Sequence, residues 1–160
     1  EKLKAKYKNT TLEIPEKIEN NIKNVKGVEI ETTVKQRVNQ SFFRKMILAS
    51  YNETCCISGI KIKELLIAGH IKPWSLDKEN RLNPRNGIAI NSLHDKAFET
   101  GLISIDTNYK INVAKELLTS KDSKIENYFK KYHKKEIILP SKFLPDKEFL
   151  AYHFNERFKG

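Results

Sequence analysis

The sequence predicts an α+β domain in which a hairpin of two strands runs into a helix, with additional helices and a second small hairpin around it. Three observations carry that prediction. Short apolar runs of strand length, bounded by turn residues, occur at 53–59, 64–71, 101–106 and 110–115. Between and around them lie stretches whose apolar residues recur at helical spacing. A chain of 160 residues, 39% hydrophobic and 31% charged, is long enough to bury one core unaided.

In chain order, PEKIENNIKNVKG (15–27) has Pro15 where a first helical turn tolerates it, Ile18, Ile22 and Val25 on one face, and Gly27 as a stop. The domain division is drawn after it: 1–30 as a basic lead-in with a short helix, and 31–160 as the main domain with its core at 53–101. Thr33 and Gln36 have capping-box spacing for a second helix. Val38, Phe42, Met46 and Ala49 are expected to face its core side through about Asn52, with Arg37, Gln40, Arg44 and Lys45 opposite. ETCCISG and ELLIAGHI read as two paired strands turning at Ser58-Gly59. Residues 72–87 are loop, rich in Pro, Asn and Asp. NSLHDKAFETG (91–101) is a short helix that Gly101 ends. GLISID and KINVAK form the second hairpin, and helices near 123–133 and 146–158, with an extended EIILP between them, complete the chain.

The net charge is +10, and its distribution is uneven. Residues 1–50 hold 11 basic against 6 acidic side chains, residues 101–160 hold 12 against 8, and the centre holds 7 against 6. Basic flanks around a near-neutral centre suit a polyanionic partner, nucleic acid first. No apolar run approaches membrane-spanning length. Cys55 and Cys56 are adjacent, so a bond between them would be strained, and reduced thiols in a cytoplasmic protein are expected. The first residue is Glu1, and a specificity domain preceding it is expected.

The stretch LLIAGHIKPW (65–74) raises the functional question, because an ionisable imidazole, His70, ends a run that otherwise reads as core. Asn86 follows 16 residues later and His94 another 8 on, at the end of the loop and on the helix. Around them stand Arg37, Gln40, Phe43 and Arg44; Cys55, Ser58 and Gly59; AGHIKPW; NGIAI; and HDKAFETGLI. These blocks, in this order across about residues 35–106, resemble the HNH nuclease family, in the branch found in bacterial restriction-type endonucleases. The family's ββα-metal fold is a hairpin followed by a helix around one divalent ion.

The resemblance implies a role for each residue. His70 is the general base, since a neutral imidazole accepts a proton at physiological pH. Asn86 holds the loop and orients the base. His94 is the metal ligand, with Asp95 and Glu99 as further candidates, because Gly69 stands where many relatives carry an additional ligand. Mg²⁺ is the expected ion, with Mn²⁺, Ni²⁺, Co²⁺ or Zn²⁺ as alternatives; with Ser58 in place of a second cysteine, no structural zinc is expected. Arg37, Arg44, Lys72, Arg81 and Arg85 are candidate DNA contacts. The implied activity is metal-dependent hydrolysis of DNA phosphodiester bonds in restriction or phage defence, with a homodimer as one way to cut both strands. Two alternatives stay open: a non-specific DNA or RNA nuclease acting as effector or toxin, and a catalytically inactive DNA-binding module.

Overall fold

A computed structural model of the chain describes residues 34–160, with side chains from Val38 onward. The helix expected at 15–27, the cap at Thr33, the side chain of Arg37 and the division at residue 30 lie outside the described residues.

Helix α1 (Val34–Ser50) packs on a two-stranded antiparallel sheet of β1 (Leu66–His70) and β2 (Gly87–Asn91), in a register pairing Leu66 with Asn91 and His70 with Gly87. Helix α2 (Ser92–Glu99) leaves β2 directly. A second ladder joins β3 (Ile103–Ile105) to β4 (Ile111–Val113). The short helices α3 (Lys115–Leu118) and α4 (Ser123–Tyr128) follow, and α5 (Lys147–Glu156) returns to β3 and α2. The architecture is the predicted α+β arrangement of ββα unit, flanking helices and second hairpin.

The partner of β1 differs from expectation. Residues 53–59 are turns, and β2 is GIAIN, across the loop of 71–86. Asn52 and Glu53 both take positive φ (51° and 50°), which ends α1 and prevents an extended run. The chain then doubles back through Gly59 N–H to Cys55 O at 3.0 Å. Cys55 and Cys56 are free and buried in this turn, where Cys56 N–H donates to Ala89 O at 2.8 Å, so the segment braces β2 from outside the ladder.

The buried stripe of α1 is also displaced by one residue. Phe43, Ile47 and Leu48 are buried, whereas Val38 and Phe42, expected inward, are 60% and 58% exposed. Two adjacent apolar stripes compete on this helix, and the sheet selects between them. A Cβ on Gly87 would lie 2.6 Å from Ile47 Cδ1 and 2.7 Å from Phe43 Cζ, so α1 seats directly on the β2 backbone where a side chain is absent. Burying each such aliphatic side chain contributes about 1.5–3 kcal/mol.

Helix α2 begins at Asn91, whose side-chain oxygen accepts from His94 N–H at 3.0 Å, a cap worth about 1 kcal/mol. It ends at Gly101, with φ +79°, where Gly101 N–H bonds Phe98 O and Leu102 N–H bonds Ala97 O. The helix expected near 123–133 is α4 plus a separate 3-10 turn, Lys130–Tyr132, and EIILP is extended with one bridge, Lys110 to Glu136.

Candidate active site

β1 carries His70 to its last position. The imidazole lies flat against Phe43 of α1, with centroids 4.1 Å apart and planes 7° apart, and meets Trp74 edge-on at 5.4 Å. Its Nε2 lies 2.8 Å from Arg81 O. A carbonyl only accepts, so Nε2 carries the proton, and Nδ1, with no partner among the described residues, keeps its lone pair. Burial holds the ring below the ordinary histidine pKa, partly offset by the Arg81 carbonyl. The ring is neutral at pH 7, with one nitrogen fixed as donor and the other open.

Asn86 is 1% exposed, and its side-chain hydrogen bonds go to Lys72 and Asn80, not to His70. Its Oδ1 accepts from Lys72 N–H at 2.8 Å, and its Nδ2 donates to Lys72 O at 3.1 Å and Asn80 O at 3.4 Å. The amide continues the β1–β2 ladder past its end, and Ile71 N–H to Asn86 O at 3.0 Å adds a main-chain bond. The loop bearing Arg81 is thereby fixed against the strand bearing His70.

His94, expected as the metal ligand, occupies a different place. It is 3% exposed; Nδ1 accepts from Asn91 Nδ2–H at 2.8 Å, and Nε2–H donates to Tyr128 O at 2.6 Å. Asn91 Nδ2 also reaches Ser58 Oγ at 3.0 Å and Cys55 Sγ at 3.4 Å. Both nitrogens of His94 are therefore engaged in holding α2 to the 55–58 turn and to α4. Successive helical residues are turned by about 100°, and the next one lies on the Gly69 side of the helix.

That residue is Asp95. Its carboxylate makes no hydrogen bond or ion pair with any described residue, and it lines, with His70, Gly69, Trp74 and Glu99, a cleft of about 280 Å³. A Cβ on Gly69 would stand 2.8 Å from Asp95 Oδ1, so the missing side chain is the space the carboxylate occupies. Burial raises the Asp95 pKa, and the negative charge of Glu99 raises it further. Glu99 itself is exposed and tied to Lys96 at 2.8 Å. Among the described residues no three His, Cys, Asp or Glu side chains converge. An unpartnered carboxylate beside a second one fits a hard divalent cation that keeps water and substrate oxygens as its other ligands.

The candidate DNA contacts divide. Arg44 donates to the carbonyls of Leu66 (2.6 Å) and Lys63 (3.1 Å), fastening the entry to β1. Lys72 pairs with Asp77 at 3.3 Å. Arg81 lies over Trp74 at 4.8 Å and donates to its carbonyl. Arg85 is exposed, with no side-chain partner among the described residues. Two residues of the site went unread in the sequence as site residues: Phe43, which seats the base, and Arg157, which lines the cleft from the C-terminal tail.

The ββα unit thus brings a fixed-tautomer imidazole and an unpartnered carboxylate to one cleft. Residues 55–106 match the family model for HNH endonuclease. Among solved structures the chain is similar to one described as "Modification dependent TagI restriction endonuclease", at 17% identity and a TM-score of 0.42, over 69% of this chain and 35% of that chain. The chain thus spans about a third of the length of that protein. No curated protein matches.

Proposed function

We propose that this chain is a metal-dependent DNA endonuclease, the cutting portion of a restriction or defence protein, with His70 as general base and Asp95 as the principal metal ligand. The observation that carries the reading is the pinning of His70 Nε2–H on Arg81 O, which leaves Nδ1 open as a proton acceptor on a ring that lines the same cleft as Asp95. His70 would take the proton of the attacking water through Nδ1, and Phe43 and Asn86 would act as positioning residues, one against the ring and one through the loop. A divalent ion on Asp95, with Glu99 in reserve, would supply positive charge to the phosphate and to the departing 3′ oxygen. Mg²⁺ suits the carboxylate oxygens best, and Mn²⁺ is the natural substitute. The protein would act on cytoplasmic DNA, with sequence choice supplied from outside residues 34–160 and cutting of both strands by paired copies.

The test is cleavage of supercoiled plasmid by the full chain and by His70→Ala, each in EDTA and in a series of divalent metals. Metal-dependent nicking by the parent that the variant loses supports the proposal. Binding without cleavage in every metal would leave a DNA-binding module.

A further inference from the structure

Residues 157–159 are docked on the end of α5 and on Gly101. At the end of α5, Arg157 N–H and Phe158 N–H both donate to His153 O, at 3.0 and 3.1 Å, and Lys159 N–H donates to Gly101 O at 2.9 Å. His153 anchors the helix beneath: it is buried, stacked on Phe98 at 3.6 Å, bonded through Nε2–H to Phe98 O and through Nδ1 to Ser104 Oγ. Gly101 makes the approach of the tail possible. A Cβ there would lie 2.0 Å from Arg157 O, a distance no side chain tolerates.

This docking brings Arg157 to the rim of the cleft lined by His70 and Asp95. One guanidinium nitrogen, Nη2, donates to Glu99 O at 3.0 Å, which fixes the head and leaves its other donors unused. Arg157 makes no ion pair within 4.0 Å among the described residues, because the Glu99 carboxylate is taken by Lys96 at 2.8 Å. Of the described residues lining the cleft, Arg157 is the only lysine or arginine, set against Asp95 and Glu99. A cleft with two carboxylates and no fixed cation would repel a polyanion whenever its metal is absent. An exposed, anchored guanidinium with paired donors is the side chain suited to a phosphate diester.

We propose that Arg157 is a substrate-binding residue that grips a backbone phosphate of the nucleic acid beside the bond to be cut. The proposal rests on the nuclease reading above and adds to it a contact that no motif supplies. It predicts one fewer phosphate contact in a variant lacking the charge.

The experiment measures equilibrium binding of the full chain, Arg157→Ala, Arg157→Gln and Arg157→Lys to a short DNA duplex in EDTA across a salt series, with melting curves on each protein. Arg157→Ala and Arg157→Gln are expected to lower the slope of log affinity against log salt by about 0.9, the value for one phosphate contact. Arg157→Lys should restore the slope, and its cleavage of plasmid should fall between the parent and Arg157→Ala, which loses at least about tenfold in kcat/KM. A purely structural role would change melting and leave the slope alone. Equal slopes for the parent and Arg157→Gln overturn the proposal even if the parent cuts DNA. A parent that binds and never cuts overturns the nuclease reading and leaves the slope to decide Arg157; no salt-dependent binding by the parent overturns the Arg157 proposal, while cleavage alone decides the nuclease reading.

Discussion

His70 and His94 sit on two sides of the same ββα unit and share half of their hydrogen bonding. Each donates Nε2–H to a main-chain carbonyl, of Arg81 and of Tyr128 respectively, so each is fixed as the same tautomer. They differ at Nδ1. In His94 that nitrogen receives Asn91 Nδ2–H, and the ring is closed off among Phe129, Tyr132 and the 55–58 turn. In His70 it has no partner among the described residues, and the ring lines a cleft that also holds an unpartnered carboxylate. A histidine with both nitrogens satisfied stabilises a fold, and one with a single nitrogen satisfied can still exchange a proton.

The largest effect should separate the two sides outright. His70→Ala is expected to lower the cleavage rate by about 10²–10⁴-fold, the usual contribution of a general base, and Asp95→Asn should remove metal-dependent cutting, both with melting close to the parent. His94→Ala should do the reverse. It takes one partner from the buried Asn91 Nδ2, which keeps Ser58 Oγ, and frees the Tyr128 carbonyl, at about 1–3 kcal/mol in all, so the protein melts earlier while the folded fraction cuts within a few-fold of the parent. Plasmid nicking well below each melting temperature decides it. Full activity in Asp95→Asn with none in folded His94→Ala would invert the assignment.

A smaller change probes the space between strand and helix. Gly69→Ala places a methyl group 2.8 Å from Asp95 Oδ1 and must push the carboxylate aside. Metal binding, measured calorimetrically with Mn²⁺, is expected to weaken by about 10–100-fold, the range seen when the surroundings of a ligand are disturbed. An unchanged affinity would mean that Asp95 is not the ligand, or that its position there is not needed.

Much of this unit was legible in the sequence, and the failures have a common cause. The order of the blocks placed His70 at a strand end, Asn86 at the loop's end and a capped helix after it, because strand length, turn residues and capping are local signals. The pairing of β1 was not local. Residues 53–59 and 87–91 are both short apolar runs, and only the positive φ of Asn52 and Glu53 denies the first a place in the sheet. The inward stripe of α1 was decided by Gly87, 40 positions from Ile47 and 44 from Phe43. Spacing along the chain does not encode which of two neighbouring helical positions, His94 or Asp95, faces Gly69. Arg157 reaches the cleft across 58 positions from Glu99, by a tail whose only sequence sign is a glycine that also ends a helix.

The smallest effect tests what sets proton uptake at His70. Only the neutral form of His70 can accept a proton from water, so kcat/KM should rise with pH through the pKa of His70 and then level off. Burial lowers that pKa, which puts the rising limb on the acid side of 6.5, the ordinary value. Trp74 supplies part of the cover, with its ring edge-on to the imidazole at 5.4 Å. Trp74→Ala lets water reach the ring, favours the imidazolium and should move the limb up towards 6.5, while activity at pH 8 changes only a few-fold because Nε2–H still meets the Arg81 carbonyl. The measurement is kcat/KM from pH 5 to 8.5 for both proteins with the metal saturating at each pH. A limb that stays in place in Trp74→Ala would mean that Phe43 and the strand alone exclude water from the base. A limb absent from both proteins would mean that the titration of His70 does not govern the rate.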